Sequence, residues 1–252
     1  ARAGVGAIAT QSWANTSYGP RGLRLLSRGL SAQETLERLV AADKGRSQRQ
    51  LGIVDAKGNA ATYTGKECFE WAGGLTGPNW ACQGNILAGP AVVTNMAQTF
   101  QSTTGTLADR LLAALAAGQM AGGDRRGQQS AALLIVKEKG GYGGWNDRYV
   151  DLRVDDHPRP IEELQRLLGL YKLYFSKTEP GNLVRLDEPV VRELQGILRR
   201  SGDYGGEVNG LYDGVTRQAL TVLMHRENLE ERCRDDDQID AVALNFMRTL
   251  RF

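Results

Sequence analysis

Residues 49–64, RQLGIVDAKGNAATYT, place two apolar, β-branched runs on either side of Lys57-Gly58-Asn59. A connection that short returns the chain antiparallel, so the stretch reads as a β-hairpin with strands over 49–55 and 60–64. A hairpin so early argues against a strictly alternating strand–helix succession. Residues 3–12 are small and apolar and read as a strand ending in Thr10-Gln11-Ser12. Tyr18-Gly19-Pro20 opens a helix carrying Leu23, Leu25 and Leu26. Ser31, three residues before Glu34, has the spacing of a capping box, and Leu36, Leu39 and Val40 follow at helical period.

Further along, 80–87 reads as a strand, 89–101 and 104–119 as helices, and 130–138 and 147–154 as strands around the glycine-rich turn 139–144. Residues 159–174 form a helix with Ile161, Leu164, Leu168 and Tyr171 on one face. Grouped strands and grouped helices imply a layered α+β domain. Composition shifts at 176–187 (SKTEPGNLVRLD), where periodicity lapses. This places a boundary between a large domain over 1–175 and a small one over 186–252 with three short helices.

Lys plus Arg number 31 against 29 Asp plus Glu, a net charge of +2. That balance implies neither nucleic acid nor an anionic membrane as partner, and no apolar run is long enough to span a bilayer. Cys68, Cys82 and Cys233 form no CxxC pair, which disfavours a zinc or redox motif and fits a reducing, cytoplasmic setting. Cys68 and Cys82 have no neighbouring histidine and read as inert buried thiols. The GGYGG turn lacks the Gly-Lys-Ser/Thr ending of a phosphate loop. No cofactor and no metal are expected.

Three stretches could carry chemistry. Asp124-Arg125-Arg126 sits between glycines, where a guanidinium could clamp a carboxylate in a fork; equally, Asp124 could cap the turn and pair with its neighbour. Asp155-Asp156-His157 ends a strand and could do acid–base work, or could simply serve a helix N-terminus. Gln83 and Asn85 flank Gly84 and could supply oxyanion donors, or could satisfy nearby backbone around a bulge. Thr10, with Gln11, ends a strand and is a candidate hydroxyl for the same cleft. The expectation is that these strand ends converge at one mouth with the arginines pointing into it.

Two resemblances follow. Residues 190–224 carry Leu194-Gln195, Leu198, Gly202-Asp203-Tyr204-Gly206, Val208-Asn209-Gly210, Tyr212-Asp213 and Thr216 with Ala219-Leu220. This pattern resembles the peptidoglycan-binding-like three-helix module, although Asn209-Gly210 stands where the family usually has Asp-Gly. The resemblance implies peptidoglycan as a partner, or a module that only packs. The segments ARAGVGAIATQ, YGPRGL, RQLGIVD, QGNILAG, AGGDRRGQQSAALL and YVDLRVDDHPRPIEELQRLL together resemble the DUF1028 family. That family is grouped with the amino-terminal-nucleophile (Ntn) hydrolases. The grouping implies a four-layer α/β/β/α sandwich, a small-molecule amide substrate and a homo-oligomer. Family members usually begin with two further strands ahead of the position of Ala1, and the nucleophile of such an enzyme is not identified among these residues. The alternative is a non-catalytic binding or scaffold protein.

Overall fold

The structure is a computed structural model and describes residues 1–252. Its elements form two compact units, Ala1–Leu168 and Gly169–Phe252. In the first, β1 (Gly6–Ser12), β2 (Arg49–Asp55) and β3 (Ala60–Thr64) make an antiparallel sheet in the order β1-β2-β3. The hairpin expected over 49–64 has the strand limits read from the sequence. Its turn is held by Asp55, whose Oδ1 accepts from the amides of Lys57 (2.9 Å) and Asn59 (3.0 Å).

Period-two alternation sorts this sheet into two faces. Ile8, Leu51 and Ile53 face α1 (Tyr18–Leu26) and α2 (Ala32–Ala41), and with Tyr18 and Leu39 they build one core. The Ser31–Glu34 capping box at the start of α2 is formed in both directions. The opposite face meets a second, two-stranded sheet of β4 (Gly73–Gly77) and β5 (Trp80–Gly84). Contact there is close: a Cβ on Gly52 of β2 would lie 2.1 Å from the Gln83 side chain of β5. Glycine there lets the Gln83 carboxamide lie directly against the β2 backbone.

The other side of β4 and β5 carries α3 (Pro90–Ser102), where Cys82 packs with Val93 and Ala97. Burial pushes the Cys82 thiol up to about 11, as an inert core cysteine requires. Next, α4 (Leu107–Met120) pairs with α3 and reaches β6 (Ala131–Val136), which pairs with β7 (Arg148–Val154). The helix α5 (Pro160–Phe175) follows. The unit is thus a mixed α/β assembly of small antiparallel sheets and helices.

Two differences from the sequence expectation have local causes. The strand β4 was not foreseen, because Gly73, Gly74 and Gly77 supply none of the side chains that mark a strand. The strand expected to run to Leu87 stops at Gly84, and Ile86 stands at φ +57.

The second unit holds β8 (Leu183–Arg185) paired with β9 (Gln238–Asp240), and α6 (Glu188–Arg200), α7 (Gly214–Arg226) and α8 (Ala241–Thr249) around a leucine-rich core. The compositional break at 176–187 lies inside this unit, and the units divide at Leu168 and Gly169, within α5. Leu173 belongs to the second core. Buried Arg232 donates to the carbonyls of Leu173 (2.7 Å) and Lys172 (2.6 Å) and pairs with Asp240, so the end of α5 is an integral part of it. No helix of the chain is long and apolar enough to cross a membrane.

Candidate functional site

The register Gln11↔Gln50↔Thr64 puts three polar side chains in a row across the first sheet, on the face turned toward β4 and β5. Gln50 is fully buried. Its Nε2 donates to Gly84 O (2.8 Å), Thr64 Oγ1 (2.9 Å) and Gly73 O (3.2 Å), tying the two sheets together. Its Oε1 accepts from Gln11 Nε2 and from Asn85 Nδ2, each at 3.2 Å. Two carboxamides, one from β1 and one just past the end of β5, therefore converge on a single oxygen.

Gln11 and Asn85 floor a cavity of about 450 Å³. Its walls include Trp13 and Phe69, exposed by 62% and 59%. Ser12 and Ile86 also line it, and both adopt left-handed backbone, at φ +65 and +57. A β-branched isoleucine is costly there, and such strain concentrates at sites the surrounding structure holds rigidly. The Trp13 wall is clamped from behind. Arg49 donates to Trp13 O and pairs with Asp43 at 3.0 Å, while Asn15 Nδ2 (2.8 Å) and Tyr18 Oη (2.9 Å) also donate to Asp43. The Asn15 hydrogen bond, with those of Arg49, Gly45 and Tyr18, holds the Asp43 carboxyl well below the usual range despite burial.

The arginine turn forms the rim. Gly123 O accepts from Ala88 N (2.9 Å) and Arg125 N donates to Ile86 O (2.9 Å), so the turn is pinned along the end of β5 rather than free. Gly122 and Gly123, at φ +112 and +54, permit the bend. Asp124 and Arg126 form a two-pronged pair at 2.7 and 3.0 Å, and the Arg126 hydrogen bond holds the Asp124 carboxyl below its ordinary value. Both residues line the cavity. Arg125 does not; its guanidinium donates to Glu70 O and so anchors the segment that carries Phe69.

A second cavity, about 810 Å³, shares Asp124 and Arg126 and extends between the α3–α4 pair and β6. Gln83 and Asp156 reach it, and the buried Oε1 of Gln83 has no hydrogen-bond partner.

The expected convergence is therefore realised in part. Asn85, Asp124 and Arg126 come together, with Gln83 and Asp156 on the adjoining cavity. Thr10 does not join them. It shares the helix-facing side of β1 with Ile8, and its hydroxyl donates to Gln50 O at 3.2 Å. Asp155 points to solvent and pairs with Arg153 at 2.8 Å. The imidazole of His157 accepts from Arg159 N at 3.1 Å at the start of α5, and its own amide donates to Gln129 O at 2.9 Å. The acid–base trio thus lies in the bend between β7 and α5, and its members part there. Gln50, Trp13 and Phe69 were missed by sequence reasoning. The signal for Gln50 was available: it is a polar residue inside an otherwise apolar strand.

In the second unit, Gln195 is fully buried at the centre of the loop between α6 and α7. Its Oε1 accepts from Gly210 N at 2.9 Å, and Tyr204 Oη, Asn209 Oδ1, Leu211 O and Thr216 Oγ1 crowd its Nε2 at 3.1–3.2 Å. Tyr204 is buried, and the Arg217 guanidinium lies over the Tyr212 ring at 5.0 Å. Neither aromatic offers a free face for stacking on a sugar.

A mixed α/β domain with a polar, aromatic-walled cavity, joined to a small helical domain, is the class these features define. The chain belongs to DUF1028, a family of unknown function whose model matches residues 1–164. Residues 174–247 match the model described as "Putative peptidoglycan binding domain", so the chain carries a peptidoglycan-binding-like domain behind the DUF1028 domain. A crystal structure of a DUF1028 protein from Silicibacter pomeroyi is similar at a TM-score of 0.60 and 32% identity, over 67% of this chain and 73% of that one. No curated protein matches the chain.

Proposed function

We propose that the DUF1028 unit binds a small molecule bearing an amide or carboxylate in the cavity floored by Gln11 and Asn85, and that the C-terminal domain attaches the chain to cell-wall glycan. The observation that carries the first half is the meeting of the Gln11 and Asn85 amides at Gln50 Oε1, beneath the exposed Trp13 and Phe69 rings. A fixed polar floor orients a ligand, and apolar walls desolvate it. Arg126 at the rim offers a fork to a carboxylate in exchange for Asp124.

The sharper form of this reading is an Ntn-type amide hydrolase, active as a homo-oligomer. The order of contacts supports it: α1 and α2, then the first sheet, then β4 and β5, then α3 and α4, the succession of a four-layer α/β/β/α sandwich. Ser12 is the hydroxyl on the cavity wall and Asp124 the carboxylate. The positions of Thr10, Asp155 and His157 lend no support to catalytic roles for them, so ligand binding is what the site geometry favours over hydrolysis.

Titration calorimetry of the full chain against small primary amides and carboxylates tests the binding. Heat lost on Asn85→Ala and on Trp13→Ala, with the circular dichroism spectrum unchanged, is the expected result; absence of any heat with the unaltered chain sinks the reading. Release of acid and amine from the bound amides tests hydrolysis. Retention of the full chain on insoluble peptidoglycan tests the C-terminal half. If it fails to be retained, the engaged Tyr204 and Tyr212 favour a purely packing module.

A further inference from the structure

The second cavity has no part in the binding just described, yet it is the larger and it opens from the same rim. One of its walls is backbone: residues 127–132 run along it into β6. β6 pairs with β7 alone, so its other edge carries no strand. Gln129 O accepts from His157 N at 2.9 Å, which turns Gln129 toward the β7 side. By the alternation of an extended chain, Gln128, Ser130 and Ala132 then aim their N–H and C=O groups the other way. The amides of Gln128 and Ser130 donate to no backbone group of the protein. Val92 and Met96 of α3 and Leu115 of α4 add apolar surface to the same cavity. An open strand edge beside mixed polar and apolar surface suits an added strand, whose backbone bonds the edge while alternate side chains reach the apolar positions. The charges have a direction. Asp124 and Arg126 compensate each other at the rim, whereas Asp156, next to the His157 amide that bonds Gln129, lines the cavity with no ion pair. The cavity thus offers a guanidinium fork at one end and an unmatched carboxylate further along.

We infer that the ligand of the DUF1028 unit is a short peptide with free ends. It adds to the open edge antiparallel to residues 127–132, its ammonium group meets Asp156, and its carboxylate crosses the Asp124–Arg126 rim into the cavity floored by Gln11 and Asn85. The length follows from the two ends. Arg126 and Gln129 are three positions apart, about 10 Å of extended chain, which a tripeptide or tetrapeptide spans. The inference rests on the binding role proposed above and specifies the class of molecule.

Acetate, acetamide, dialanine, trialanine and tetraalanine, titrated calorimetrically into the full chain, test it. Affinity is expected to rise by at least about tenfold from acetate to trialanine, and trialanine methylated at both peptide nitrogens to lose that gain. Asp156→Asn, at an exposed bend position, is expected to weaken trialanine by up to about fivefold and to leave N-acetyl-trialanine unaffected. Arg126→Ala is expected to weaken trialanine and to spare its C-terminal amide. Trialanine no tighter than acetate, an N-methylated peptide as tight as its parent, or an Asp156→Asn loss that N-acetylation does not remove overturns the peptide assignment while leaving the binding role of the first cavity in place. If acetate, acetamide and the peptides all fail to bind, the binding role itself fails and this inference falls with it.

Discussion

Gln50 and Gln195 are both fully buried glutamines, one in each unit, and each gathers its partners from several elements. They differ in where those partners lead. The groups around Gln195 serve to close a loop: the Gly210 amide, the Leu211 carbonyl and Tyr204 lie in the connection between α6 and α7, and Thr216 in the first turn of α7. The partners of Gln50 include Gln11 and Asn85, which form the floor of an open cavity. A buried carboxamide is therefore no sign of function by itself. What separates a structural hub from a binding hub is whether its hydrogen-bonded neighbours reach a surface that a ligand can touch.

The largest test within the second unit concerns its buried ion pair. Arg232 and Asp240 are buried together, and Asp240 also caps α8 through Val242 N and Ala243 N. Burial raises the Asp240 carboxyl, but the Thr178 hydrogen bond and the Arg232 charge hold it below its ordinary value. Arg232→Ala leaves that carboxylate unpaired and is expected to destabilise the second unit by about 3–5 kcal/mol. Denaturant titration should show this unit unfolding early and ligand binding by the first unit unchanged. Gln195→Met is the next step down. It strands the Gly210 amide and is expected to cost about 2–3 kcal/mol, again with binding intact.

Gln50→Met should behave otherwise. Gln11 and Asn85 can turn to water in the cavity, but the Gly73 and Gly84 carbonyls lose their donor between the sheets, so the stability loss is comparable, about 1–3 kcal/mol. Binding should fall by tenfold or more, because the floor loses its anchor. If Gln50→Met spares binding as Gln195→Met does, the contrast between the two hubs is wrong.

These contrasts also show what the sequence could and could not disclose. The hairpin, the Ser31 capping box and the helix α6–α8 pattern were legible because each is set by residues a few positions apart. The site was not, because it depends on parity and on cross-sheet register. A shift of one residue separates Gln11, which faces the cavity, from Thr10, which faces the helices. Asp155, Asp156 and His157 are adjacent in the chain but lie in the bend between β7 and α5, outside any strand register, and turn to different surroundings there. Trp13 and Phe69 carry no local signature that distinguishes a cavity wall from a core aromatic; only the fold brings them face to face with Asn85.

A pH titration separates the Trp13 wall from the rest of the first unit. Asp43 is held below the ordinary carboxylate range when folded, and returns to about 3.9 when unfolded. The stability it contributes is therefore fully present above that unfolded value and is lost as pH falls through the folded one. Acid unfolding of the first unit should steepen only below about pH 4, and Asp43→Asn should flatten that limb. Unaltered acid behaviour in the variant would remove Asp43 from the clamp.

The smallest stability effect belongs to the arginine turn. Arg126 is exposed, and its pair with Asp124 is a surface fork, so Arg126→Ala should leave the melting temperature unmoved. Its effect should be on ligands alone: weaker binding of carboxylates, with primary amides retained, since only the former match the guanidinium in a bidentate fashion. Arg125→Ala should do the reverse. Arg125 never enters the cavity but holds Glu70 O, one residue from Phe69, so its loss should weaken every ligand that packs on that ring, whatever its charge. Two neighbouring arginines with opposite selectivity would show the turn working as a rim on one side and a brace on the other. Identical losses for both ligand classes in both variants would mean that neither guanidinium recognises charge.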